Sequence, residues 1–401
     1  MKELNKYIYF ACVLAIIAGF LSSLVFILST GNLPWFDPQL RIDGNSYFDG
    51  MASVVGNNDF LKLKDIYHSP GYQIYVSAVY KAFPAKESIF IVIKIVSWVL
   101  RILTLLMIYF MGERYFAKYT GLAASVLFSL SYKYYIYGNL LQYEVMLGFL
   151  ITLYVFLLAM GLRNEKLTSN ICFISISSFV LSIICLFQVR YLPFLFLSPV
   201  IIYFHFYRNK LIYKLSLVIV SLLPFLLLFG TWSIYQSLAN NELVIGSAGS
   251  LFRFYTSNNP NAQGYAFPYP DIIRPAGLKF ILLYPLRYLW LLKERFLFAF
   301  DIKKDVWYLG PPFMNVIKAK IIPDVCFSIM SFLIFLAGLF VKAKNDLKNS
   351  LWASAPLYIP VLSSFLLLFI TFGSSRFIIP VIPVIDLFQA YALTLIFAKY
   401  L

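Results

Sequence analysis

The stretch RIDGNSYFDG, residues 41–50, places two carboxylates and an aromatic side chain together shortly after the first apolar run of the chain. A carboxylate within hydrogen-bonding reach of a hydroxyl can accept its proton as a general base. Asp43 is the first candidate for this chemistry and Asp49 the second. An isolated loop aspartate is more often a solvated turn residue or a helix cap, so the rest of the chain must decide between the two interpretations.

A third carboxylate, Glu144, stands at the start of an apolar run in the stretch GNLLQYEVML. The dipole at a helix N-terminus favours a negative side chain, which gives Glu144 an ordinary structural reason to be there. The alternative is a second acid near Asp43, on the same face of a membrane.

Arg190 and Arg376 are cations next to apolar runs, in the stretches LFQVRYLPF and TFGSSRFIIPVIP. An arginine at such a position can extend its charged group to the membrane interface. A guanidinium also offers paired donors to phosphate oxygens. The alternative for both residues is therefore an anion site that takes a phosphate.

The composition is that of a membrane protein, since 61% of the 401 residues are hydrophobic and only 13% are charged. Soluble domains carry roughly 25% charged residues. Apolar runs of about 20 residues, enough to cross a bilayer as a helix, recur along the chain. We expect an all-α polytopic membrane protein. Its net charge of +15 fits lysines and arginines flanking the helices better than a nucleic-acid partner.

Ten membrane spans are predicted, at residues 8–29, 88–111, 120–138, 145–162, 170–187, 191–207, 215–237, 323–341, 351–373 and 377–398. With the N-terminus in the cytoplasm, the cytoplasmic connections are 112–119, 163–169, 208–214 and 342–350. These are rich in lysine and arginine, whereas the short outer connections hold only Arg190 and Arg376. This distribution agrees with the positive-inside rule and places both termini in the cytoplasm.

The segment 277–300 is apolar but contains several charged residues, so we expect it to lie on the membrane surface as an interfacial helix. Two long loops, about 30–87 and 238–322, then face outward. The whole chain, 1–401, is predicted to form a single membrane-embedded domain with no appended soluble domain.

The N-terminal apolar run is longer than the roughly 7 to 15 residues of a signal-peptide core, and we interpret it as a retained helix. The only histidines, His68 and His205, lie on opposite sides of the predicted topology, which argues against a multi-histidine metal site. His68 stays a candidate for an outer site. The cysteines lie inside apolar runs and indicate no metal site or disulfide framework; they are Cys12, Cys172, Cys185 and Cys326.

Arg101 and Asp386 each fall near the middle of a predicted span. Ionisable groups are costly at that depth and require a partner. We expect the two residues to approach one another as a structural pair.

Short motifs follow one another along the chain, and all map to the predicted outer face. The first joins Asp43 and Tyr47 as D-x-x-x-Y and continues into YHSPGYQIYVSAVY, residues 67–80. The second is the carboxylate Glu144 at the start of the fourth span. The third is Arg190, after the fifth span.

Two further motifs complete the series: FYTSNNPNAQGY at 254–265 and SSRFIIPVIPVIDLFQAYAL at 374–393. In this order, the motifs resemble those of polyprenyl-phosphate-sugar-dependent membrane glycosyltransferases of the GT-C fold. The nearest branch contains the protein O-mannosyltransferases and the lipid A aminoarabinose transferases (glycosyltransferase families 39 and 83). The resemblance runs through most of the chain.

The resemblance implies a GT-C bundle that takes a sugar from a polyprenyl-phosphate donor and transfers it to an acceptor hydroxyl. It implies a single, inverting displacement, with Asp43 as general base and Glu144 as a second acid. The leaving phosphate would be held by Arg376, then Arg190, with the basic helix around Arg287 as a third choice. Residues expected to line the sugar or acceptor site are Tyr47, His68, Tyr72, Asn258 and Asn259.

The acceptor stays open between a glycan, a lipid and a protein. No cofactor is expected, and a divalent cation held by Asp43 and Glu144 is an open alternative. The expected location is a bacterial or archaeal cytoplasmic membrane, with the active site on its outer face. Competing interpretations are a transporter or lipid flippase, an O-antigen polymerase or ligase, and a non-catalytic assembly factor.

Overall fold

The computed structural model describes the following residues of the chain: 2–30, 69–83, 86–131, 134, 143–164, 166–241, 243–245, 254–255, 257–262, 276–300, 325–349, 351–370 and 378–397. These residues form helices and turns, and no β-strand occurs among them. The predicted all-α class is confirmed.

The helices are numbered in chain order. They are α1 (Lys2–Thr30), α2 (Pro70–Ala82), α3 (Lys86–Tyr115), α4 (Thr120–Leu130), α5 (Glu144–Arg163), α6 (Leu167–Phe187), α7 (Pro193–His205), α8 (Leu211–Phe225), α9 (Thr231–Asn240), α10 (Leu278–Leu283), α11 (Pro285–Phe300), α12 (Val325–Asn349), α13 (Leu351–Ile370) and α14 (Ile382–Phe397). Short 3₁₀ turns precede α7 (Val189–Tyr191) and α14 (Ile379–Val381).

A helix occupies each of the ten predicted spans. Within the described residues, five stretches are long and apolar enough to cross a bilayer: Ile91–Tyr115, Glu144–Arg163, Leu167–Phe187, Leu211–Ala239 and Ile379–Phe397. Shorter apolar helices are Tyr9–Val25, Thr120–Leu130, Val189–His205 and Leu351–Leu366. Many large apolar side chains on these helices are exposed, as expected of surfaces that face lipid. The orientation of the bundle in the membrane stays a prediction.

The last helix, α14, lies at the centre of the bundle. It packs against α3, α4, α5, α12 and α13, and the stretch Ile379–Phe397 is mostly buried, whereas Leu211–Ala239 is mostly exposed. A methyl group added at Gly338 on α12 would overlap the carbonyl oxygen of Phe388 on α14. This glycine therefore allows the two backbones to meet, a device typical of membrane helices.

Hydroxyl groups join α6 to α8 across their interface. The Ser178 hydroxyl donates to the Ser221 carbonyl oxygen at 2.6 Å, and the Ser182 hydroxyl donates to the Pro224 carbonyl oxygen at 3.3 Å. Pro224 is followed by a π-helical turn, Leu226–Gly230, that links α8 to α9. Because proline provides no N–H and disturbs the preceding turn, a change of helical winding is expected at this place.

Helix α2 lies in a segment that the sequence analysis assigned to an outer loop. Pro70 takes the first helical position, where its missing N–H is not needed. Helix α2 packs against α3 and α6. A Cβ atom at Gly71 would come within 2.5 Å of the Phe187 ring, so the glycine allows the start of α2 to lie directly on the end of α6.

The predicted interfacial helix at 277–300 is two helices, α10 and α11, which are separated at Tyr284 by the following proline, Pro285. Helix α11 packs on α12 and α13. Its Phe296 ring lies 4.9 Å from the ring of Phe332 and 6.5 Å from that of Phe365.

Arg101 and Asp386 lie on the packed helices α3 and α14, and each acts electrostatically on Tyr134. Arg101 donates to the Ser23 hydroxyl at 2.7 Å. No ion pair joins Arg101 to Asp386 in the described part of the chain, so the expected structural pair is reduced to a shared neighbour.

Candidate active site

The structure describes six of the predicted site residues: Tyr72, Glu144, Arg190, Asn258, Asn259 and Arg287. The other four, Asp43, Tyr47, His68 and Arg376, lie outside the described residues. The six fall into two groups, one at the beginning of α5 and one beside α11.

Glu144 is the first residue of α5 and is completely buried, with 0% of its surface exposed. Its position in the first helical turn places the carboxylate near unpaired backbone N–H groups and the positive end of the helix dipole. A carboxylate is expensive to bury without such compensation. The helix start therefore explains how α5 holds an acid inside an apolar bundle.

Aromatic rings pack between the start of α2 and the residue that precedes Glu144. The Tyr72 ring lies 6.0 Å from the ring of Tyr143 and 6.3 Å from the ring of Phe187, both in edge-to-face geometry. Burial, the adjacent Tyr75 and the charge of Glu144 raise the pKa of Tyr72 well above its ordinary value. The electrostatic effect of Glu144 on Tyr72 shows that the start of α2 lies near the acid.

Arg190 lies in the 3₁₀ turn between α6 and α7, and its three guanidinium nitrogens are buried. It takes part in polar interactions there, and its guanidinium carbon lies 5.3 Å from the centre of the Tyr191 ring. Gln188, which directly precedes this turn, donates its amide N–H to the hydroxyl of Tyr143, the residue before Glu144. This contact ties the arginine turn to the start of α5, so a buried acid and a buried cation occupy the same end of the bundle.

The Asn-rich stretch around Asn258 forms a turn held by a buried cation. Arg295 is 0% exposed and donates to the Ser257 carbonyl oxygen at 2.8 Å and to the Asn258 side-chain oxygen at 3.0 Å. The Asn258 amide nitrogen donates to the Phe254 carbonyl oxygen at 2.8 Å. Burial lowers the pKa of Arg295 to about 10, against an opposing effect of Tyr288, so Arg295 stays charged at neutral pH.

Arg287, predicted as a phosphate ligand, binds the same turn from its other side. Its guanidinium donates to the carbonyl oxygens of Pro260 at 3.5 Å and Ala262 at 3.3 Å. It also stacks over the Trp290 ring at 3.9 Å. Asn259 accepts the backbone N–H of Asn261 at 2.9 Å, which closes a local turn. In this structure the second group of predicted residues therefore shapes a loop.

Sequence reasoning did not assign a role to Gln188 or Tyr143, which join the arginine turn to the acid. A signal was present, because a glutamine two residues before Arg190 interrupts the end of an apolar run. Sequence reasoning placed Arg295 only within a basic helix, because the residues that Arg295 binds lie about forty positions away in the chain. Among the residues that the structure describes, no group of three or more His, Cys, Asp or Glu side chains could hold a metal ion.

The fold is similar to that of solved membrane proteins. ArnT from Cupriavidus metallidurans bound to undecaprenyl phosphate aligns over 92% of this chain at a TM-score of 0.53 and 13% identity. The Archaeoglobus fulgidus oligosaccharyltransferase, tethered to an acceptor peptide, aligns over 100% of this chain at a TM-score of 0.50 and 14% identity. The chain spans 60% of the length of the first and 51% of the second.

No protein-family model matches the chain, and no curated protein matches it either. With identities of 13% and 14%, the likeness to the solved structures establishes the fold. The chain is an all-α, polytopic membrane protein with the GT-C fold.

Proposed function

We propose that this protein is an integral membrane glycosyltransferase that moves a sugar from a polyprenyl-phosphate donor to a hydroxyl group of a glycan, lipid or protein acceptor. The observation that carries the proposal is a GT-C fold with a buried carboxylate, Glu144, and a buried guanidinium, Arg190, at the same end of the bundle. A solved protein of this fold was crystallised with undecaprenyl phosphate, the carrier half of such a donor.

The proposed reaction is a single displacement. The acceptor oxygen forms a bond to the anomeric carbon while the bond from that carbon to the phosphate oxygen breaks, and the phosphate leaves with the bonding electrons. The acceptor proton passes to a carboxylate acting as general base. Asp43 is our candidate for this base. Glu144 is the second acid, and one displacement inverts the anomeric configuration.

The leaving phosphate gains negative charge as its bond to the sugar breaks, and preorganised cations stabilise that charge. Arg376 is the first candidate and Arg190 the second. The burial of the Arg190 guanidinium supports its assignment, because charge interactions are stronger where water is excluded. Arg287 ranks lower, since it already binds two carbonyl oxygens.

The sugar requires apolar walls and hydroxyl partners. Tyr72 provides an aromatic wall beside Glu144, and we assign Tyr47 and His68 to the same site. Asn258 and Asn259 act by shaping the neighbouring loop, since the Asn258 amide is already bound to Arg295 and Phe254.

The test uses the purified full-length protein in lipid nanodiscs. It is supplied with undecaprenyl phosphates that carry mannose, glucose, galactose or aminoarabinose, in the presence of membrane extract as acceptor. We expect one donor to be converted to free undecaprenyl phosphate by the wild-type protein but not by the Asp43→Asn variant. Asp65→Asn, at another aspartate of the predicted loop 30–87, is the matched control and should retain activity.

Full activity of a folded Asp43→Asn variant would discard Asp43 as the base. The proposal as a whole fails if the wild-type protein consumes none of the donors and if cells with and without the gene have identical envelope glycans. Movement of labelled lipid across the bilayer without sugar transfer would instead identify a flippase.

A further inference from the structure

The buried face of α2 carries two polar groups that make no hydrogen bond. Gln73 is 0% exposed, and both its amide nitrogen and its amide oxygen are buried without a hydrogen-bond partner among the described residues. The hydroxyl of Tyr75, two residues later, is buried in the same way. Such groups are uncommon in folded proteins, and each requires an explanation.

Within Gln73, the side-chain amide lacks a hydrogen-bond partner among the described residues, whereas the backbone does not. Its backbone carbonyl oxygen accepts the Ser77 hydroxyl at 2.7 Å within a regular helix. A buried polar group with no partner costs about 1 to 3 kcal/mol. A leucine at this position would fill a similar volume without that cost. The amide of Gln73 therefore does not stabilise the fold.

Other buried glutamines in the bundle have protein partners. Gln389 on α14 donates to the Ser331 carbonyl oxygen at 2.8 Å and to the Ser331 hydroxyl at 2.7 Å. Gln188 donates to the hydroxyl of Tyr143. Gln73 differs from both in having none, which indicates a partner from outside the chain.

The position of Gln73 links it to the candidate active site. It directly follows Tyr72, which borders Glu144, and the Tyr72 ring lies 5.8 Å from the ring of Tyr75. The unsatisfied amide and phenol are thus carried by the same short helix as the aromatic wall of the site.

We infer that Gln73 binds hydroxyl groups of the transferred or accepting sugar and contributes to the choice of that sugar, an inference that rests on the proposed function. An amide offers both donors and an acceptor, and so does a phenol. A bound phosphate would require only donors from the protein, and a bound cation would require only acceptors. A sugar hydroxyl both donates and accepts, so it can use both. The neutral, two-sided chemistry of Gln73 and Tyr75 therefore fits a sugar.

The first experiment compares two variants that exchange a buried glutamine for leucine, both in full-length protein. Without donor, Gln73→Leu should have a Tm equal to or above that of the wild type, because no protein hydrogen bond is lost. Gln389→Leu should have a lower Tm, because it removes the hydrogen bonds to the carbonyl oxygen and the hydroxyl of Ser331. With the active donor from the undecaprenyl-phosphate panel, Gln73→Leu should lose about 10- to 100-fold in kcat/KM, and Gln389→Leu should keep its kcat/KM.

The second experiment identifies the interaction through deoxy donors. Versions of the active donor that lack one sugar hydroxyl at a time are given to the wild type and to Gln73→Leu. The wild type should discriminate against one deoxy donor by about tenfold or more, and Gln73→Leu should treat that donor and the parent alike. An acceptor series lacking single hydroxyls covers the alternative that Gln73 binds the accepting sugar.

Two results would overturn the inference: a Gln73→Leu variant with unchanged kcat/KM and unchanged discrimination, or one whose Tm falls as far as that of Gln389→Leu. The first would leave water as the partner of the amide, and the second would give Gln73 a structural role. If the wild type consumes no donor in the panel and cells with and without the gene have identical envelope glycans, the proposed function itself is wrong. An active wild type with an indifferent Gln73→Leu variant would overturn only this inference.

Discussion

At the residue scale, the start of α5 combines an acid, a phenol and the end of a helix. Glu144 is fully buried, and burial, Tyr75 and Glu144 raise the pKa of Tyr72 well above its ordinary value. A phenol can both donate and accept a hydrogen bond. This arrangement suits a residue that orients an acceptor hydroxyl.

The first prediction concerns the charge of that acid. Glu144→Gln keeps the size and the hydrogen-bonding capacity but removes the negative charge, so we expect donor turnover to fall by about 100-fold or more. Its circular dichroism and Tm should stay close to those of the wild type. Turnover of the active donor in nanodiscs is the measurement, and an active Glu144→Gln variant would reduce Glu144 to a helix-start residue.

The second prediction concerns the leaving phosphate. Arg376→Ala should raise the Kd for the active donor by about tenfold or more, because a charge-assisted contact contributes about 1.5 to 3 kcal/mol, and Arg190→Met should do so to a smaller extent. Binding of the inactive carrier, undecaprenyl phosphate, is measured in parallel. Arg208→Ala, at an exposed arginine, is the control. Unchanged affinity in both variants would place the phosphate elsewhere.

At the element scale, α11 and the Asn-rich turn depend on each other. Arg295 donates to a backbone carbonyl and to the Asn258 side chain from a fully buried position, while Arg287 holds the opposite side of the turn. Arg287, expected as a phosphate ligand, and Arg295 thus hold the loop through its carbonyl oxygens and the Asn258 side chain.

The third prediction follows from that dependence. Arg295→Met removes two hydrogen bonds to buried acceptors and should lower the free energy of unfolding by about 1 to 3 kcal/mol. Lys293→Met, at an exposed neighbour on the same helix, should change it little. Denaturation in detergent provides the measurement. A double-mutant cycle with Asn258→Ala should show coupling between the two side chains, and additive effects would contradict the contact.

Much of the helical layout is predictable because a bilayer requires long apolar runs, and each predicted span contains a helix. The separation of α10 from α11 was not predicted, although Pro285 restricts the preceding residue and so signals a break. Helix α2 was missed because Pro70 and Gly71 usually mark a turn, whereas here they begin a helix against Phe187.

The candidate site was predictable only in part. Charged residues against apolar runs, such as Glu144 and Arg190, stand out in a sequence because they are costly there. The pairing of Arg295 with Ser257 and the isolation of the Gln73 amide were not predictable, because both depend on which distant side chains meet in three dimensions.

At the scale of the whole molecule, one lysine of the predicted cytoplasmic connection 342–350 belongs to the packing of the bundle. Lys342 forms an ion pair of 2.5 Å with Asp346, and Asp346 accepts the Tyr358 hydroxyl of α13 at 2.6 Å. These contacts join α12 to α13. Lys342, whose charge favours a cytoplasmic location, therefore also helps to hold α12 against α13 where the chain reverses.

The fourth prediction tests the orientation of the molecule. In a cysteine-free background, Asn209→Cys lies in a predicted cytoplasmic connection and Asn261→Cys in the predicted outer loop, and both positions are exposed. A membrane-impermeant maleimide added to intact cells should label Asn261→Cys alone. Permeabilised cells should show both labelled. The reverse pattern in intact cells would invert the topology and place the candidate site inside.

The central position of α14 has a consequence for the order of synthesis. The ribosome completes this helix after the other thirteen described helices, yet α3, α4, α5 and α12 all pack on it. The helices that precede α14 in the chain are therefore synthesised before the segment that packs between them. A chain that ends before Ile382 would leave the surfaces of α3, α4, α5 and α12 that pack on α14 without their partner, so completion of the bundle depends on this segment.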